Sequence, residues 1–256
     1  MVRPNLLPKD DPRYLAWRAS LKKRPASWSK GKTKETSKSV RKISRTFLSK
    51  KIDNFAGWRA EMRRLGKIKT EYPLFEKNGD LAELIGVILG DGHIERFPRT
   101  EGLLIFSNSN NQGFIDRYSK LVGKIFKKTP RVYKVSNDVN CVRIRLYEKE
   151  ISKRLNIPTG KRTKLKLRIP PWILNNRRNL IRYLRGLFEA EGSFCVHKPT
   201  SNYKLLFANR NKSLLKIVFS SLAGLGFHPS KSADKVEISR KLEVYECIDL
   251  LQFRKY

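Results

Sequence analysis

Acidic residues, cysteine, histidine and long apolar runs are all scarce in this chain of 256 residues. Asp and Glu number 23 against 56 Lys and Arg, a formal net charge of +33, which predicts binding to a phosphate-rich polymer or to an anionic membrane. The three cysteines, Cys141, Cys195 and Cys247, are widely spaced. They form neither a disulfide framework nor a metal-ligand spacing, which suits a reducing, intracellular home rather than secretion. The three histidines, His93, His197 and His228, are scattered and show no nucleophile–base arrangement. No apolar run approaches the ~20 residues of a spanning helix, and the first ten residues carry no apolar segment of a secretory signal. A membrane partner is therefore not expected. Two local lookalikes also fail. Gly31-Lys32-Thr33 has Ala26 where a phosphate loop needs its first glycine, and His93-Ile94-Glu95 has no Pro-Cys-x-x-Cys partner of the zinc deaminases.

What is present is a core-forming apolar fraction of 39% and a lopsided distribution of charge. Residues 1–70 hold 21 Lys/Arg and 5 Asp/Glu, a net of +16, whereas the remaining 186 residues hold 35 and 18, a net of +17. The first segment is thus more than twice as basic per residue. Val40, Ile43 and Phe47 fall at helical spacing, and a second short helix is expected near Ile52–Leu65. Residues 1–77 read as a basic nucleic-acid-binding arm, ordered in part by its partner.

From about residue 78 the chain repeats itself at an offset of one hundred. Leu84-Ile85-Gly86-Val87-Ile88-Leu89-Gly90-Asp91-Gly92 matches Leu184-Arg185-Gly186-Leu187-Phe188-Glu189-Ala190-Glu191-Gly192. Phe106-Ser107-Asn108-Ser109-Asn110 is matched by Phe207-Ala208-Asn209-Arg210-Asn211, with Asn110 and Asn211 placed as helix caps. An amphipathic run follows each, Phe114–Phe126 or Leu214–Leu225. Next comes an alternating strand, Cys141–Leu146 or Lys235–Ser239, and a last helix, Glu148–Leu155 or Lys241–Leu251. The expected organisation is a first repeat at 78–157, a basic linker at 158–179 and a second repeat at 180–256. Each repeat has the order helix, two strands, helix, two strands, helix.

The paired motif has a physical reading. Gly86 and Gly90, like Gly186 and Ala190, lie one helical turn apart and let two helices approach closely. Asp91 and Glu191 then end both helices, where the macrodipole already disfavours negative charge and where pseudo-two-fold packing brings the acids together. A divalent cation removes both penalties. Carboxylates with the backbone carbonyls of Gly90 and Ala190 are hard ligands, suited to Mg²⁺, with Mn²⁺ as a substitute. Beside a polyanion, that set suits phosphodiester hydrolysis.

The two motifs resemble the LAGLIDADG signature of homing endonucleases in its single-chain, two-motif form. The resemblance spans about residues 78–256 and includes Ile169-Pro170-Pro171-Trp172-Ile173 ahead of the second motif. The first motif departs from the name-giving pattern at Leu89. The resemblance implies an α+β fold of two αββαββα halves, whose saddle-shaped antiparallel sheets straddle the DNA major groove. It implies a monomer that cuts double-stranded DNA at a long pseudo-palindromic intron or intein insertion site, with Asp91 and Glu191 as catalytic, metal-binding acids. Glu189 is expected to be an exposed helix residue or a salt-bridge partner instead. Lys164 and Lys166 are expected DNA contacts, as linker lysines that touch phosphate, and candidates for catalytic assistance. The segment Trp28–Thr36 is similar to small DNA-binding modules attached to such nucleases. Alternation in Arg143-Ile144-Arg145 puts both arginines on one face, fit for guanine edges. Arg96, Asn108, Lys134, His197, Lys204, Asn209 and Arg240 are further expected DNA contacts. Two other functions are compatible with the same fold: an RNA maturase acting on its host intron, and a DNA-binding regulator without cleavage. Both acids being present speaks against the latter.

Overall fold

The structure, a computed structural model, describes residues 7–23, 25–136, 140–163 and 165–256. The chain separates into two compact units, Met1–Thr70 and Glu71–Tyr256. In the first lie helices α1 (Pro12–Lys22), α2 (Lys38–Ser49) and α3 (Ala56–Arg64), none of which buries a side chain. The apolar spacing predicts α2 and α3 but not α1. That helix starts on a local signal, Asp11 accepting from the Arg13 amide at 2.8 Å with Pro12 in the first turn.

The second unit runs α4 (Gly79–Asp91), β1 (Gly92–Arg96), β2 (Glu101–Asn108), α5 (Gln112–Phe126), β3 (Arg131–Lys134), β4 (Cys141–Glu148) and α6 (Ile151–Leu155). A short α7 (Pro171–Leu174) precedes the repeat: α8 (Arg177–Glu191), β5 (Gly192–His197), β6 (Asn202–Ala208), α9 (Lys212–Gly224), β7 (Ser230–Lys231), β8 (Lys235–Ile238) and α10 (Lys241–Leu251). The sheets are antiparallel, with orders β1-β2-β4-β3 and β5-β6-β8-β7, the same topology twice. The expected duplicated αββαββα architecture is therefore present. Two local details differ. The cap of α5 is Asn111, not Asn110, because Asn110 is spent in a turn where its amide donates to Asn108 Oδ1 at 2.9 Å. Helix α6 begins only at Ile151, because Glu150 sits at φ 57°, a left-handed conformation that cannot continue a helix.

One core holds the unit together. Leu84, Val87 and Ile88 of α4 and Leu184, Leu187 and Phe188 of α8 are buried with Ile94, Ile105, Ile144, Leu205, Phe207 and Val236 from the sheets. Helices α4 and α8 meet backbone to backbone. A Cβ at Gly86 would run into the Tyr183 carbonyl oxygen, and one at Gly186 into that of Glu83. At the other end of this pair, fully buried Glu83 of α4 accepts from Arg117 Nε at 2.6 Å and from Arg182 Nε at 2.5 Å. The neighbouring Asp80 accepts from Arg182 Nη2 at 2.6 Å, so ion pairs fix the angle between the halves. Among the described residues no helix is long and apolar enough to cross a membrane.

Candidate catalytic centre and nucleic-acid face

Two helices with matched caps deliver the acids. Asn78 accepts from the Leu81 amide at 3.0 Å to start α4, and Asn176 accepts from the Asn179 amide at 3.1 Å to start α8. Each helix ends on its acid, and the next residue, Gly92 or Gly192, turns at once into a strand. These glycines are required by space. A side chain at Gly92 would strike the Ile88 backbone, and one at Gly192 the Phe188 carbonyl. Because the helices touch along their small residues, Gly90 faces Ala190 and lies against Glu191; a Cβ there would sit 3.1 Å from Glu191 Cγ.

Asp91 and Glu191 are thus neighbours in one half-buried place. Burial first, and the Glu191 charge second, push the Asp91 carboxyl up to about 7. Among the described residues it has no hydrogen bond or ion pair. Glu191 is also raised by burial, opposed by a hydrogen bond from Asn209 Nδ2 at 3.0 Å. Asn209, expected to touch DNA, is thereby a partner of Glu191, and its Oδ1 also accepts from the Asn211 amide at 2.8 Å. Beside Glu191 opens a cleft of about 540 Å³, lined also by Gly90, His93, Lys161, Arg162 and Arg210 among others. Arg162 Nη2 donates to the carbonyls of Ile88 at 2.8 Å and Gly92 at 2.6 Å, a cation closing the C-terminus of α4. Arg254 Nη2 does the same for Gly192 at 3.2 Å in the second half.

The donor set fits a hard divalent cation. Two under-solvated carboxylates lie close enough to feel each other's charge, one of them without a donor among the described residues. Among the described residues no group of three or more His, Cys, Asp or Glu side chains converges that could form a closed cage. Water and phosphate oxygens would complete such a shell, as Mg²⁺ prefers.

Register decides which of the expected nucleic-acid contacts share a surface. On the first sheet, Ile94, Leu103, Ile105, Ile144 and Leu146 point into the core, so Arg143 and Arg145 lie on the opposite, open face with Tyr133 and Glu95. Asn108 shares that face at the end of β2. On the second sheet His197 and Lys204 lie on the open face with Ser193 and Cys195. Arg96 and Lys134 fall on the helix side of their strands by the same alternation, one position out of phase with the arginines. Arg240 precedes α10 and pairs with Glu243 at 3.0 Å, in the helix layer. Lys166 is exposed in the linker, and Lys164 lies outside the described residues.

Sequence reasoning missed Lys161 and Arg162, since nothing in Gly160-Lys161-Arg162 distinguishes it from other basic linker residues. Of the two expectations for Glu189, the salt-bridge partner holds, with Arg185 Nε 3.9 Å from its Oε1, whereas exposure does not: it is buried, accepts from the Arg254 amide at 2.7 Å and from the Tyr256 hydroxyl, and holds the C-terminal turn.

The sequence matches no family model and no curated protein. Among solved structures, the homing endonuclease I-WcaI bound to its DNA recognition sequence is 20% identical with a TM-score of 0.51, covering 71% of this chain and 83% of that one. Mesophilic variants of the homing endonuclease I-DmoI are 20% identical (TM-score 0.46, covering 68% of this chain and 95% of that one). The N-terminal LAGLIDADG domain of DUF199/WhiA is 16% identical (TM-score 0.48, 71% and 84%). The likeness to I-WcaI establishes a shared fold.

Proposed function

We propose that this chain, whose fold is the LAGLIDADG homing-endonuclease fold, is a metal-dependent endonuclease that breaks both strands of a long, pseudo-palindromic DNA site. The observation that carries the reading is the pair of facing helices that bury Asp91 and Glu191 side by side, inside a cationic protein. For stability alone, two such acids at helix C-termini are a double penalty. For phosphodiester hydrolysis they are what a cation-binding centre needs.

In this reading Asp91 and Glu191 hold divalent cations, with the Gly90 and Ala190 carbonyls at hand, and each acid serves one strand. The cation supplies Lewis-acid stabilisation of charge on the phosphate and leaving oxygen when bound. The chain's own residues position the substrate. Lys161 and Arg210 line the cleft and attract phosphate, and Asn209 orients Glu191. Arg162 is occupied with the α4 carbonyls and acts as a positioning residue for the Asp91 turn. The open sheet faces supply base contacts, and the arm within residues 1–77 adds sequence-independent phosphate contacts from its excess of Lys and Arg.

The test is selection of cleaved sites from a plasmid library, with Mg²⁺ or with chelator. Asp91→Asn and Glu191→Gln are each expected to reduce double-strand cleavage to background while duplex binding in Ca²⁺ persists. Full cleavage by both variants would overturn the reading.

A further inference from the structure

The two sheets can be aligned residue by residue from their register alone. In the first, Gly92 of β1 pairs with Ile105 of β2, which pairs with Ile144 of β4. In the second, Gly192 pairs with Phe207, which pairs with Val236 of β8. One residue past each anchor, on the open face, stand Arg145 and Glu237. The duplication therefore carries opposite charges at one and the same place of its two reading surfaces.

Each of these side chains is held ready. Arg145 Nη1 donates to the Tyr133 hydroxyl at 2.9 Å, and its guanidinium carbon lies 4.3 Å from the Tyr147 ring centroid. Glu95 Oε2 stands 4.0 Å from Arg145 Nη2, leaving the Arg145 Nε buried and without a hydrogen-bond partner. Glu237 is set between Lys204 Nζ at 3.3 Å and Lys235 Nζ at 3.7 Å. Its Oε2 is likewise buried without a hydrogen bond. Packed aromatic and charged neighbours restrict both rotamers, so each side chain is held in one place on its strand.

We propose that Arg145 and Glu237 are specificity-determining residues that make the DNA target asymmetric at one mirror-related pair of positions. Arginine matches the O6 and N7 acceptors of guanine, whereas a carboxylate can only accept, from the exocyclic amine of cytosine or adenine. Two halves related by a pseudo-two-fold offer equivalent Cα positions to equivalent bases of their half-sites. Guanine is selected opposite Arg145 and an amine-bearing base, cytosine foremost, opposite Glu237. The inference rests on the DNA-binding reading and adds to it where palindromy breaks.

The experiment is binding selection from a randomised duplex pool in Ca²⁺, using the full chain, followed by sequencing of the bound fraction. Wild type is expected to yield a pseudo-palindrome with guanine at one of two mirror positions and cytosine or adenine at the other. Glu237→Arg is expected to convert the second position to guanine and render that pair symmetric. Glu237→Gln, a milder change on the same partly exposed strand, flattens the preference there, and Arg145→Lys weakens guanine selection in the other half by about 10- to 100-fold. Guanine or thymine at both mirror positions in wild type, or an unchanged profile in Glu237→Arg and Glu237→Gln, overturns the inference while leaving the nuclease reading intact. Failure to enrich any duplex sequence overturns both.

Discussion

Replacing Asp91 by Asn should make the metal-free protein more stable, and increasingly so as pH rises. In the fold the Asp91 carboxyl titrates at about 7 instead of 3.8, through burial and the Glu191 charge. The native state therefore binds this proton more tightly than the unfolded chain. Between these values the native state keeps a proton that the unfolded chain has lost, so stability falls as pH rises through the window and the loss is complete above about 7. Tenfold in proton affinity is 1.36 kcal/mol, which puts the full effect at roughly 4 kcal/mol. The acid is only partly buried, and solvent screening leaves about 2 kcal/mol. Asn is isosteric and neutral, so it escapes this cost. Denaturation by urea in chelator at pH 5, 7 and 8.5 measures it. The variant is expected to exceed wild type by under about 1 kcal/mol at pH 5 and by about 2 kcal/mol at pH 8.5. Saturating Mg²⁺ should narrow or reverse the gap by stabilising wild type, at about 2.7 kcal/mol for a concentration one hundred times Kd. A variant less stable than wild type at pH 8.5 in chelator, or a gap that ignores pH, would refute the idea that this carboxylate is held against its own electrostatics.

Two other perturbations probe the helix pair and the arm. Gly186→Ala should destabilise the second unit by about 1–3 kcal/mol in thermal or chemical unfolding, because its methyl would collide with the Glu83 carbonyl and with the Val87 amide 2.8 Å away, forcing the helices apart; the proposed cleavage should fall with it as Asp91 and Glu191 separate. Removing residues 1–70 should lower duplex affinity and flatten the log–log salt dependence by ~0.9 for each phosphate that the arm neutralises; an unchanged slope would rule out a DNA role for the arm.

Much of the architecture can be read from residue order alone, and particular residues show why. The hundred-residue repeat, the small residues at Gly86, Gly90, Gly186 and Ala190, and the helix-terminal acids are local patterns with local causes. They anticipated the duplicated αββαββα halves and the acid at the end of each motif helix. Glu189 shows the limit. It lies two residues from Glu191 in the same motif, yet it is buried beneath the Tyr256 hydroxyl and the Arg254 amide, a contact between residues more than sixty positions apart that no periodicity encodes.

Composition and local pattern determined the chain's own basic charge, the paired motifs, the helix and strand types and the alternation that puts Arg143 and Arg145 on one face. Tertiary structure alone decided that Arg162 closes α4, that Asn209 donates to Glu191, that Arg96 and Lys134 lie on the other side of their strands from Arg143 and Arg145, and that Glu237 stands where the first half has Arg145. Periods of 3.6 and 2 are written in neighbouring residues. The register between strands and the approach of distant segments are set only when the whole core packs at once.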